Sequence, residues 1–218
     1  MNKLLIEKGF DESEITDLYS CFRPTKKNYG KGELIMGISG ENDEVGIITE
    51  GTAYLVSING EGQKSIVNCY RRGDVFGSRF SPDSLLNAYY IVAHFPCDIT
   101  YISYKKLTSC CEKCCSKHVR LLDFFINTSV RRWQIHIDIL SQRTIRGRLM
   151  YYFSYLSAEE GKSAVKLPMS LSDLADYLSI DRSAMMREIK KLNADGVIRS
   201  KGTDIEVLQV QGNTVQSR

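Results

Sequence analysis

The sequence predicts an α+β chain in three successive parts: an antiparallel β-roll of jelly-roll, cupin-like type, a long helix, and a C-terminal helix-turn-helix completed by a two-stranded wing. Three observations carry that expectation. Ten of the sixteen glycines crowd between Gly30 and Gly77 among short β-rich runs. Apolar residues from Val119 to Leu140 recur every three or four positions, and residues 170–196 hold two capped amphipathic stretches separated by Ser179-Ile180-Asp181.

With 218 residues, 43% of them apolar and 25% charged, the chain has the composition of an ordinary globular protein able to bury real cores. The opening MNKLLIEKGFDESE has too short an apolar run for a signal peptide. No stretch approaches the roughly 18 apolar residues of a membrane span. A cytoplasmic location with no membrane partner is therefore expected. Seven cysteines, an odd number, argue for reduced thiols rather than a disulfide framework. The net charge of +3 is uneven: residues 1–118 carry 14 Lys/Arg against 15 Asp/Glu, and residues 119–218 carry 15 against 11. The C-terminal excess permits nucleic-acid binding without requiring it.

In the first part, "VGIIT", "AYLVSI" and "KSIVNCY" read as strands of a β-roll over about residues 20–105. "INGEGQ" reads as a hairpin in which Asn59-Gly60 takes the positive φ angles of a tight turn. "GKGELIMG" leads into no helix, so it is turn punctuation rather than a phosphate loop. Cys69 and Cys97 lie in strand-like surroundings and are expected to be buried. His94 and His136, isolated on apolar runs, read as core or interface residues.

The period then changes. Val119, Leu122, Ile126, Val130, Trp133, Ile137 and Leu140 form one seam on a helix about 33 Å long at 1.5 Å per residue. A narrow seam of this kind either packs on the roll or pairs with a second copy, and the spacing favours pairing. The expected dimer contacts are Leu122, Ile126, Val130, Trp133, Ile137 and Leu140. Phe124 and Phe125, beside the seam, can dock back on the roll. Domain boundaries follow at 1–118 for the roll, 119–142 for the helix and 143–218 for the last part.

In that last part Ser170 caps a short helix whose N3 residue is Asp173, with Leu171, Leu174, Ala175 and Leu178 buried. Asp181 caps a second helix over 182–195, Ile180 and Met185 can form a hydrophobic staple, and Gly196 stops it. Met185, Ile189 and Leu192 face inward. Arg182, Ser183, Met186, Arg187 and Lys190 fall on the opposite side, a face suited to a groove lined with phosphates. "VIRSKGTDIEVL", 197–208, is a hairpin with Lys201-Gly202 at its turn, placed to touch a nucleic-acid backbone. Ser170, Ser172 and Lys201 complete the expected DNA contacts.

The segments "GELIMG", "EGTAYLVSINGEGQKSIVNCYRRGDVFG", "ISYKKL" and "MSLSDLADYLSIDRSAMMREIKKLNADGVI", in that order, resemble the Crp/Fnr family of bacterial transcription regulators over nearly the whole chain. The resemblance implies a homodimer that binds palindromic promoter DNA, works with RNA polymerase, and is switched by a small-molecule effector or other signal sensed in or beside the roll. The family's base-reading positions fall on Arg182, Ser183 and Arg187. Ser183 stands where many members carry glutamate. The effector positions fall near Phe76, Gly77, Ser78, Arg79, Tyr90, Trp133 and Gln134. Asn87 and Ala88 occupy the places of the family's phosphate-binding arginine and hydroxyl residue, so cyclic AMP is not the expected signal.

"SCCEKCCSKH" offers a rival sensor. On a helix, Cys111, Cys114, Cys115 and His118 share one side, which suits thiol redox or metal sensing; packing of Cys114 or Cys115 under the roll is the alternative. Cys21 alone does not make the N-terminal cluster that iron-sulfur members use. No cysteine has a sequence-defined orienting set, so an enzyme with a cysteine nucleophile is not expected.

Overall fold

The computed structural model describes residues 1–38, 42–80, 87–109 and 116–208. It divides into two compact units, Met1–Gln134 and Ile135–Arg218, with the division inside the long helix.

Two short helices, α1 (Asn2–Glu7) and α2 (Glu12–Phe22), precede the roll. The sequence reading did not anticipate them, although Asp11 and Glu14 form a full capping box at the start of α2. Then follow β1 (Thr25–Tyr29), β2 (Leu34–Ile38), β3 (Glu44–Glu50), β4 (Thr52–Ile58), β5 (Lys64–Arg71), β6 (Val75–Phe76), β7 (Ala88–Ala93) and β8 (Cys97–Ser103). They build two four-stranded sheets, ordered β1-β8-β3-β6 and β2-β7-β4-β5, with every pairing antiparallel. Between the sheets lies one core, including Ile48, Phe76, Ile99 and Tyr101 from the first and Met36, Leu55, Tyr70 and Ile91 from the second. Cys69 and Cys97 are buried.

The period of two along a strand sends alternate residues of β3 and β8 to opposite faces. Val45, Ile47 and Ile102 therefore meet a second core, made with Leu5, Phe10, Leu18 and Phe22 of the N-terminal segment, Leu107 of α3 (Tyr104–Thr108), and Leu121 and Phe125 of α4 (Ser116–Ser141). Gly46 is required by packing: a Cβ there would lie 2.2 Å from the Phe76 ring. The β4–β5 turn differs from the expectation. Neither Asn59 nor Gly60 takes a positive φ; Gly62 does, at 78°. Asn59 instead closes the loop with its side chain, accepting from the backbone N–H of Glu61 and Gln63.

Helix α4 is 26 residues long and has two apolar sides. Leu121 and Phe125 are buried, whereas Val119, Ile126, Val130 and Ile137 are 69, 45, 57 and 62% exposed. Inward, Arg132 Nε donates to Asp74 Oδ1 at 2.6 Å, and Asp74 also accepts from Arg71 N–H. Both charges are largely dehydrated, so removing either partner would cost about 3–5 kcal/mol. Lys117 pairs with Asp17, and Arg120 holds Glu14 at 2.7 Å while its guanidinium covers the Phe10 ring.

In the second unit, α5 (Ile145–Glu160) starts at a Thr144 cap and ends at Gly161, whose φ of 64° suits a helix stop. Strand β9 (Ala164–Lys166), α6 (Leu171–Tyr177), α7 (Arg182–Ala194), β10 (Ile198–Lys201) and β11 (Asp204–Val207) follow. The wing is thus part of a three-stranded sheet, ordered β10-β11-β9. His136, near the end of α4, is buried against the Tyr177 ring of α6.

Burial lowers the His136 pKa from 6.5 to about 4. Between those values the unfolded chain binds a proton that the folded chain refuses, so stability is present above the unfolded pKa and lost as pH falls toward 4. His136 should contribute a loss of up to about 3 kcal/mol across that range. Thermal unfolding of the wild type and His136→Phe from pH 7.5 to 4.5 checks this: the variant should lose less stability on acidification, and parallel curves would contradict the assignment.

Candidate nucleic-acid interface

The helix-turn-helix is made by local chemistry. Ser170 Oγ accepts from Asp173 N–H at 3.1 Å to start α6, and Asp181 Oδ1 accepts from Ala184 N–H at 2.8 Å to start α7. Between them Ser179 adopts a φ of 52°, unusual for a residue with a side chain. Arg148 of α5 stabilises that turn. Its Nη1 donates to the carbonyls of Leu178 and Ser179 at 2.9 and 3.0 Å, and its Nε donates to the carbonyl of Gln142 at 3.1 Å.

Met185, Ile189 and Leu192 are buried on one side of α7. Arg182, Ser183, Arg187 and Lys190 are exposed on the other and, with half-buried Met186, line a shallow depression. Among the described residues, Arg182, Arg187 and Lys190 have no ion pair. The one acid on this helix, Glu188, is turned aside by Arg146 of α5 at 3.5 Å and Lys191 at 4.0 Å. Arg146 also holds Asp195 at 2.7 Å. The exposed face therefore carries three uncompensated cations, two of them guanidinium forks that can reach two acceptors on one guanine.

On the wing, Arg199 pairs with Glu206 at 2.6 Å, leaving Lys201 at the tip without an ion pair among the described residues. Gly202, with φ of 62°, makes the turn beyond it. Ser172 is exposed on α6, while the Ser170 hydroxyl is engaged at the cap and donates to Asp173 Oδ2.

The expected effector residues occupy different environments. Phe76 is wholly enclosed in the roll core, and Gly77 is buried where a Cβ would lie 2.8 Å from the Glu44 carbonyl oxygen. Ser78 Oγ is buried without a hydrogen-bond partner among the described residues. Arg79 is exposed and lies 5.8 Å from the Tyr104 ring centroid. Tyr90 is half-buried on β7, Gln134 is exposed, and Ala88 begins β7. Trp133 packs against the roll core and donates from its indole N–H to the Phe80 carbonyl at 3.2 Å. The indole thus has both its apolar body and its polar atom satisfied by the chain itself.

Cys111, Cys114 and Cys115 lie outside the described residues. His118 is buried against the Phe22 ring, with Nδ1 3.4 Å from the Ser109 carbonyl oxygen. Among the described residues no group of three His, Cys, Asp or Glu could hold a metal. Burial pushes the Cys97 thiol above its ordinary value, and its single S–H faces the carbonyls of Thr52 and Phe95, at 3.1 and 3.0 Å from Sγ. Sequence reasoning missed Arg146, Arg148 and Asn193, because nothing in their spacing tells where a long or amide side chain finds its partners.

A jelly-roll domain followed by a long helix and a cation-faced, winged helix-turn-helix is the architecture of a transcription regulator with a sensor domain. The cyclic nucleotide-binding domain family matches residues 26–114, and the Crp-like helix-turn-helix domain family matches residues 147–212. The chain belongs to the Crp/Fnr family of transcription regulators, which are not enzymes. It is 21% identical over 182 residues to the nitrogen fixation regulation protein FixK of Rhizobium meliloti, covering 83% of this chain and 78% of that one. It is 21% identical over 187 residues to the transcriptional activator protein FnrL of Cereibacter sphaeroides, covering 81% and 73%. The solved structure of FixK2 from Bradyrhizobium japonicum shares the fold with a TM-score of 0.68 and 21% identity, covering 86% of this chain and 94% of that one.

The two kinds of cation on α7 should behave differently. Arg187→Ala should cost about 1–3 kcal/mol in DNA affinity and relax preference at one base pair, whereas Lys190→Ala should weaken all sequences alike and lower the salt slope by about one. Competition binding across single-base variants of a selected site separates them, and equal, sequence-blind losses would remove Arg187 from base reading.

Proposed function

We propose that the protein is a cytoplasmic homodimer that regulates transcription by binding palindromic promoter DNA through α7, in concert with RNA polymerase, under a signal other than cyclic AMP received in the roll domain. The observation that supports the reading best is the exposed face of Arg182, Arg187 and Lys190, freed from the one acid on its own helix. Arg182, Ser183 and Arg187 read bases; Lys190 and Lys201 hold phosphates, with Ser170 and Ser172 at the neighbouring helix start. No helix among the described residues is long and apolar enough to cross a membrane.

Dimerisation is supported by the four exposed apolar residues of α4, Val119, Ile126, Val130 and Ile137, which stand in water on a single chain. Leu140 continues the same helical spacing, while Leu122 and Trp133, expected in the seam, are partly covered by the chain's own cores. A two-fold axis along it relates two recognition helices, and the operator should hold half-sites one helical turn, about 34 Å, apart. Selection of bound sequences from a random duplex pool tests the function as a whole: enrichment of such a palindrome supports it, and no enrichment of any sequence overturns it. The double variant Ile126→Asp, Ile137→Asp should sediment as a monomer and lose more than about tenfold in affinity for that site, since each charge would be buried unpaired in the seam. An undisturbed dimer would take these residues out of the interface.

The effector reading rests on what the roll does not offer. Asn87 and Ala88 supply no cation for a cyclic phosphate, Ser78 is too short to hold a ribose as a glutamate would, and Trp133 fills space against the roll core. A ligand shifts the dimer only by binding one form better, about 1.4 kcal/mol for each tenfold change in population ratio. Titration calorimetry with cyclic AMP should give no heat of binding up to millimolar ligand. Micromolar binding lost in Arg79→Ala would instead make Arg79 a relocated phosphate clamp. Thiol redox or metal sensing by Cys111, Cys114, Cys115 and His118 is the second reading, supported by the buried His118 Nε2, which has no hydrogen-bond partner among the described residues.

A further inference from the structure

Among the described residues β10 is the edge of its sheet, with β11 on one side and no strand on the other. A four-residue edge strand in a short hairpin has little stability of its own, and its outward N–H groups need partners. At Ser200 the partner comes from the recognition helix. Asn193 Oδ1 accepts from Ser200 N–H at 2.8 Å, and Asn193 Nδ2 donates to Ser200 Oγ and to the Ile189 carbonyl, both at 2.8 Å. Every polar atom of the Asn193 side chain is engaged, and the Ile189 bond fixes the amide against its own helix. The wing is thereby fastened to α7 by hydrogen bonds one residue before Lys201. Arg199, the other cation of β10, is held by Glu206, so Lys201 is the wing charge left to meet an anion.

We infer that Asn193 is a positioning residue that fastens the wing to the recognition helix and so delivers Lys201 to a DNA phosphate while α7 sits in the major groove. The inference rests on the DNA-binding reading above. An amide is needed because the site requires an acceptor and a donor side by side. Aspartate would keep the Ser200 N–H bond and can accept from the Ser200 hydroxyl, but it would set a carboxylate against the Ile189 carbonyl with no proton between them; leucine, of similar size, would lose all three bonds while filling the space.

The test uses the full-length protein and its selected duplex, with the dependence of log K on log salt as the readout. Lys201→Ala should lower the slope by about one ion. Asn193→Ala should lower it by the same amount with base preference unchanged, and adding Lys201→Ala to it should lower the slope no further. Asn193→Leu, which keeps the packing volume, should behave as Asn193→Ala does and serves where the alanine variant folds poorly. Ser200→Ala, which retains the backbone bond, should stay close to wild type. If both Asn193 variants keep the wild-type slope, or if their losses add to that of Lys201→Ala, Asn193 does not position the wing contact. A wild type that binds no DNA would defeat the functional reading itself, a result distinct from either.

Discussion

One helix is apolar on two sides and buries only one of them within its own chain, and its polar contacts answer to that constraint. Helix α4 turns Leu121 and Phe125 into the core beneath the roll and leaves Val119, Ile126 and Val130 in water on its other side. A helix apolar on two sides has no unique orientation from hydrophobicity alone, because the burial energy per area does not distinguish one apolar side from another. Polar contacts fix the choice. Arg132 reaches Asp74 in the turn before β6, and Arg120 and Lys117 hold the acids of α2. These three pairs are specific where the apolar contacts are not, and they determine which face of α4 remains open.

The second unit follows a similar division of labour. Buried apolar residues bring α6 and α7 together, but side chains from outside the two helices set their details. Arg146 neutralises Glu188 and Asp195, Arg148 satisfies the turn carbonyls, and Asn193 ties α7 to β10. The result is a face from which negative charge has been removed by internal pairing rather than by composition. That distinction matters because the chain as a whole is nearly balanced, with 29 basic and 26 acidic side chains. Field strength at a groove depends on the local excess, not on the total.

What could be read from the sequence was whatever depends on local periodicity and capping. The helix-turn-helix was legible because Ser170, Asp181 and Gly196 mark its ends by mechanisms that work over three or four residues, and because Met185, Ile189 and Leu192 keep a strict helical spacing. The long helix α4 was legible for the same reason. The N-terminal helices went unread although Asp11 and Glu14 signalled one of them, since α1 is only six residues long and lends little periodicity. The turn after β4 was read with the wrong mechanism: an Asn-Gly pair suggests backbone freedom, but here the asparagine side chain closes the loop. Arg146, Arg148 and Asn193 were beyond reach because their partners lie up to 49 residues away and depend on tertiary approach.

The turn between α6 and α7 shows how far this recognition element depends on its setting. Ser179 stands in a backbone conformation that glycine would adopt at no steric cost, and the carbonyls of Leu178 and Ser179 are satisfied by a guanidinium that belongs to α5, about thirty residues earlier in the chain. The two helices are therefore not a portable cassette. Grafted onto a foreign scaffold as residues 170–196, they would carry their caps and apolar stripe but leave behind the arginine that closes their corner, so the smallest piece that keeps its own turn satisfied must include α5.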